Sequence, residues 1–217
     1  MPLDITRLIE AVDRKVETRD HQGRPARVAR LARSYPTTQD DLWDAITNPE
    51  RIPRWFMPVS GDLRPGGHYQ LEGNAGGEIT ACEPPRHLAL TWVMGDQESW
   101  VTVDLSEAPD GGTQLLLEHV AHVPDDFWDQ YGPGAVGVGW DHALLGLDQL
   151  FATDASVSPE SALEWMVSDE GKAFARASSD AWGRASIAAG TPLDAAERAA
   201  EETRAFYTGE PVSPPER

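Results

Sequence analysis

The residues best suited to chemistry lie at the end of one apolar run, "TQLLLEHVAH". His119 and His122 sit three apart, a spacing that invites a metal-pair reading. Strand alternation argues against it. Leu115, Leu117 and His119 fall on one face, and Leu116, Glu118, Val120 and His122 on the other, so one ion cannot reach both imidazoles without a bulge. No metal site is expected. His119 alone remains the candidate catalytic residue, because an imidazole titrates near pH ~6.5 and can orient a ligand or exchange a proton with it. The plainer reading, a half-buried His bonded to a backbone carbonyl, is preferred, since single polar groups in pockets more often orient than react.

A second motif points to different chemistry. "YGPGAVGVGW" contains G-x-G-x-x-G at Gly132, Gly134 and Gly137, the spacing of a dinucleotide-binding turn. That turn must leave a buried parallel strand and open a helix. Here "PDDFWDQY" precedes it, with Asp125, Asp126 and Asp129 where the strand should run. No cofactor is expected. The glycines are read instead as a place where backbone passes close to its neighbours, over the sheet edge and into a long helix. No G-x-S-x-G, H-E-x-x-H or phosphate-loop pattern occurs, and no Ser-His-Asp set follows from spacing.

These residues must be held by elements legible in the pattern. Ile5, Leu8, Ile9, Val12 and Val16 have helical spacing, predicting an N-terminal amphipathic helix over residues 1–22 with Asp4 as its cap. "ARVARLARSY" reads as a strand, and Thr38 with Asp41 as a capping box opening a helix over "QDDLWDAIT". "PERIPRWF" reads as a short helix. From residue 59 to 123, alternating runs separated by Gly, Pro and Asp predict antiparallel strands, with "PDGG" the plainest hairpin. A long helix is predicted over residues 138–151, then tail helices bearing Leu163, Trp165, Met166, Phe174 and Trp182, with a break near Gly171 and a stop at Gly190. Residues 210–217 read as disordered.

Composition narrows the partners. The 217 residues carry 36 acidic against 18 basic side chains, a net charge of −18. From residue 87 to 171 there is no Lys or Arg but there are 16 acids, so neither nucleic acid nor an anionic membrane is an expected partner. Cys82 is the one cysteine, which excludes an internal disulfide. No signal peptide or membrane span is read, and a cytoplasmic protein is expected.

Strand, two short helices, an antiparallel run and a long helix together resemble the SRPBCC superfamily, the START-like helix-grip fold, in the branch named after activators of the heat-shock chaperone ATPase. The resemblance rests on "LWDAITNPERIPRWFMPVSGDLRPGGHYQL", "GGEITACEPPRHLALTW", "GGTQLLLEH" and "GWDHALLGLDQL", and covers residues 25–153. It implies an α+β fold: a curved antiparallel β-sheet wrapped around a long C-terminal helix, plus an extra helical tail. The expected organisation is the N-terminal helix over 1–22, the START-like domain over 23–155, a helical extension over 156–209, and the tail. The resemblance also implies a cavity between sheet and helix that binds a small apolar ligand. The expected lining is Trp55, Phe56, Tyr69, Trp92, Trp100, His119, Trp128, Trp140 and Leu144, with Tyr69 a phenol donor and Trp128 a lid residue. Two alternatives stay open: a cyclase- or dehydratase-like enzyme using His119, and a homodimer or partner-binding protein using the tail aromatics. The chaperone-activating role involves a further domain and is not carried over.

Overall fold

A computed structural model describes residues 3–109 and 111–212. Its frame is one eight-stranded sheet with every neighbouring pair antiparallel. In chain order the elements are α1 (Ile5–Glu10), β1 (Asp13–His21), β2 (Arg24–Tyr35), α2 (Gln39–Thr47), a 3-10 turn (Ile52–Arg54), β3 (Val59–Gly61), β4 (His68–Leu71), β5 (Gly76–Glu83), β6 (His87–Met94), β7 (Gln97–Glu107), β8 (Thr113–Ala121), α3 (Asp125–Tyr131), α4 (Gly134–Thr153), α5 (Pro159–Val167), α6 (Asp169–Ala188) and α7 (Leu193–Thr208). Spatially the strands run β1-β2-β8-β7-β6-β5-β4-β3. This is the helix-grip architecture: a curved antiparallel sheet against long C-terminal helices.

Local chemistry sets the boundaries. Asp4 and Thr38 cap α1 and α2 by accepting from the Arg7 and Asp41 amides. The helix expected over 1–22 is only six residues long. Beyond it, "DRKVETRDH" alternates and pairs with β2 through a tight turn in which Gln22 and Gly23 have φ of 52° and 76°. Val12 and Val16 therefore reach the core from a bend and a strand; sheet pairing overrides a helical spacing that five residues happen to share. The expected short helix at residues 49–56 shrinks to the 3-10 turn. The tail breaks at Ser168, whose hydroxyl accepts from the Gly171 amide, three residues before the expected place. Of the expected disordered segment, residues 213–217 lie outside the described residues, while Glu210 is held by Arg204 and Lys172.

Helix α4 is apolar nearly all round because it is packed on both sides. One side meets the sheet through Leu144 and Leu147, against Leu31, Leu117 and Tyr35. The other meets the tail, and the glycines lie here, correcting the expectation that they shape the approach to the sheet. A β-carbon on Gly137 would come within 2.1 Å of Trp182, and one on Gly134 within 2.9 Å of Thr203. Gly132, with φ of 57°, ends α3 beside Ala199, and Gly139 faces the Tyr207 hydroxyl. The fingerprint spacing is thus a seam for helices α6 and α7. The long helix starts four residues before the expected 138, so that Gly134 and Gly137 are already helical.

Trp182 is fully buried against Gly137, so a methyl group there must displace packed indole atoms. Gly137→Ala is expected to cost about 3 kcal/mol by overpacking, whereas Gly139→Ala, which meets only a side-chain hydroxyl, costs less than about 1 kcal/mol. Urea unfolding of the two variants checks the order.

Candidate functional site

The sheet register builds the site. His119 on β8 lies opposite Val101, and two residues away on β7, on the same face, Ser99 lies opposite Trp92 of β6. All face the concave side, where α4 delivers Trp140. Four groups then form a closed chain. The Trp140 indole N–H donates to His119 Nδ1 at 2.9 Å, and His119 Nε2 lies 2.8 Å from Ser99 Oγ. The Ser99 hydroxyl donates to the Trp92 carbonyl at 3.0 Å. An indole N–H can only donate, so Nδ1 accepts and the proton of the neutral ring sits on Nε2. Burial pushes the His119 pKa down to about 4, keeping the ring neutral.

Around this chain stands an aromatic wall. Trp55 and Phe56 stack at 5.4 Å, Phe56 and Trp140 at 6.5 Å, and Trp92 meets Trp140 at 5.0 Å. Trp55 is held by its indole N–H donating to the Ala45 carbonyl and by Gly146, where a β-carbon would come within 2.2 Å of the Trp55 carbonyl. The floor is less closed than the wall. Val101, Leu105, Leu115 and Leu117 are buried, yet Leu88, Leu90 and Trp92 on β6 are half-exposed, as are Cys82 and Val103 on the flanking strands. Burial raises the Cys82 thiol pKa. The sheet is therefore filled under α4 and less completely covered over β5, β6 and β7.

The expected lining divides accordingly. Trp55, Phe56, Trp92, His119 and Trp140 come together, and Leu144 is core beneath them. Tyr69 on β4 packs beside Leu88, Leu90 and Trp92, but its hydroxyl donates to the Thr91 carbonyl at 2.8 Å and burial raises its pKa, so the expected phenol donor is already engaged. Trp100 does not join the site. It pairs with Val120 on the convex face and packs against His21 at 4.2 Å and His122 at 5.3 Å. Trp128 belongs to helix α3 rather than a loop, and Arg27 lies 4.8 Å over its ring. Among the described residues no group of three His, Cys, Asp or Glu side chains is placed to hold a metal ion.

Two polar residues escaped sequence reading. Ser99 carries no motif; its inward position follows only from the β7–β8 register. Asp141 is the fourth residue of the helix predicted over 138–151, where nothing in the sequence marks it for burial. It lies two turns inside α4, 2 % exposed, and takes two bonds from Arg14, at 2.9 and 3.1 Å, and others from Ser178 and Trp182. It is a structural node. Its neighbour His142 is enclosed by Trp165, Phe174 and Tyr207, and its Nδ1 donates to the Val138 carbonyl.

With this geometry in view, a family model described as "Activator of Hsp90 ATPase homolog 1-like protein" matches residues 36–152. The chain belongs to this family. Among solved structures it is similar to CalU16 from Micromonospora echinospora. The crystal structure is 36% identical, with 76% of this chain and 96% of that chain covered at a TM-score of 0.58. The solution structure is 33% identical, with 82% and 97% covered at 0.67. DynU16, from the dynemicin biosynthetic locus, is 20% identical with a TM-score of 0.52 over 59% of this chain and 48% of that one, a likeness of fold alone. No curated protein matches. No helix among the described residues is long and apolar enough to cross a membrane.

The depressed His119 pKa makes a signed prediction. Between pH ~6.5 and about 4 the unfolded chain binds a proton that the folded chain refuses, so stability is full above pH ~6.5 and falls on acidification. From pH 7 to 4.5 the native protein is expected to lose about 2–3 kcal/mol more than His119→Gln, which keeps a donor and an acceptor but does not titrate. Denaturant titrations of both proteins across that range measure the difference.

Proposed function

We propose that the protein binds a small apolar molecule in the cleft over β6. The observation that carries this reading is the half-exposure of Leu88, Leu90 and Trp92. They lie on an interior strand, facing inward, beside strands that bury Ile79, Val101 and Leu105 on the same face but leave Cys82 and Val103 half-exposed next to Leu88. A folded chain ordinarily covers such positions, and contiguous apolar surface rimmed by a fixed wall is a common mark of a ligand site. Trp55, Phe56 and Trp140 supply that wall, with indole N–H groups already bonded inside the protein in the case of Trp55 and Trp140. Membership of the family supports the same reading, since the helix-grip resemblance implies an apolar ligand between sheet and helix.

The geometry favours binding over catalysis. A cyclase- or dehydratase-like role asks His119 to take up or deliver a proton, yet its lone pair accepts from Trp140 and its proton faces Ser99. Its task here is to fix Trp140 against Trp92. The tail aromatics give the dimer alternative little support, because Trp182 and Phe174 are buried in their own chain and Phe206 is the one of them that is exposed.

Nile red, a neutral dye, tests the proposal. Its emission is expected to rise on binding the protein, and Leu90→Gln to weaken binding about 10-fold by placing an amide on the cleft floor. Circular dichroism verifies that the variant is folded. Absence of dye binding, or equal binding by the folded variant, contradicts the reading.

A further inference from the structure

We infer that this cleft takes uncharged ligands bearing at most a carbonyl-type acceptor and refuses ionised acids; the inference rests on the apolar-ligand reading above. It comes from the polar groups around the cleft and from the charges the walls lack.

Strands β6, β7 and β8 and helices α3 and α4 all derive from residues 87–171, the stretch with no Lys or Arg and 16 acids. The cations that flank this part of the sheet are paired, Arg86 before β6 with Glu83 and Arg64 before β4 with Asp62. Arg14 is spent on Asp141 and Arg33 pairs with Asp148. Arg51 is bound to Asp41 and Asp44, and Arg54 to Asp154. Arg27, at the end of the concave face, pairs with Asp125 and stacks on Trp128. Two buried side-chain nitrogens have no partner among the described residues, Arg33 Nε and His21 Nε2, but they belong to β2 and β1, three and four strands away from β6 in the sheet.

The neutral donors are mostly used as well. His119, Ser99, Trp140, Trp55 and Tyr69 each give their hydrogen to an acceptor within the protein. Trp92 Nε1 and the Cys82 thiol differ: both residues are half-exposed on the cleft floor, and neither group has a bonding partner among the described residues. An indole N–H can serve a ketone, aldehyde or ester oxygen. It cannot compensate the lost hydration of a carboxylate, which inside an apolar site requires a cation or several donors. The surrounding acids add repulsion of the same sign.

A matched pair of probes tests this. Methyl anthracene-9-carboxylate and anthracene-9-carboxylate compete against bound Nile red at pH 7.5, with anthracene as the hydrocarbon reference. The ester is expected to displace the dye at concentrations about 100-fold lower than the ionised acid. Trp92→Phe is expected to weaken the ester by about 5-fold relative to anthracene, the loss of one hydrogen bond. The ester is also expected to slow alkylation of Cys82 by N-ethylmaleimide. Equal displacement by the acid overturns the inference, as does an unchanged ester-to-anthracene ratio in Trp92→Phe. If Nile red itself does not bind, the cleft reading fails first, and the two failures are told apart in one titration series.

Discussion

The carboxylate of Asp141 is where the three parts of the chain meet. It lies on α4 and is 2 % exposed, deep enough that its charge is tolerable only with donors on every side. Arg14 grips both oxygens from β1, while Ser178 and Trp182 reach one of them from α6. Arg14 in turn donates to the Ile9 and Val12 carbonyls, where α1 gives way to β1. One buried charge therefore specifies where the N-terminal hairpin, the long helix and the tail sit relative to one another. Removing one partner of such a cluster costs about 3–5 kcal/mol because it strands the other.

The glycine seam follows from this arrangement. Trp182 can donate to Asp141 only if its ring lies flat against α4, and Gly137 provides the space. The helix is then fixed from behind, so its front holds Trp140 at the height of His119 and Trp92. A helix free to slide could not keep an indole N–H within 2.9 Å of an imidazole nitrogen. The open part of the sheet is the remainder: α4 covers β8 and β2, the 3-10 turn closes one side through Gly146, and the floor over β6 is left half-exposed.

Much of this was legible in the residues. The alternation of "TQLLLEHVAH" placed His119 inward and His122 outward, and both positions hold. The antiparallel run, the long helix and the tail are where the pattern put them to within a few residues, because Gly, Pro and capping residues act locally. What failed was non-local. Trp100 looked like a wall residue, but its face is decided by pairing with Val120, which a single strand cannot reveal. Val12 and Val16 looked helical because apolar spacing alone does not distinguish a helix from a helix followed by a strand. The burial of Asp141 left no local mark, because its partners lie 127, 37 and 41 residues away.

Native-state hydrogen exchange on Asp141→Asn tests the central claim, that this carboxylate couples the three parts, most directly. If it does, amides of β1, α4 and α6 share one opening free energy in the native protein, and the substitution lowers protection in all three by a common amount. Loss confined to α6 and α7, with β1 unchanged, would show instead that the tail is an independent unit resting on a self-sufficient sheet and helix.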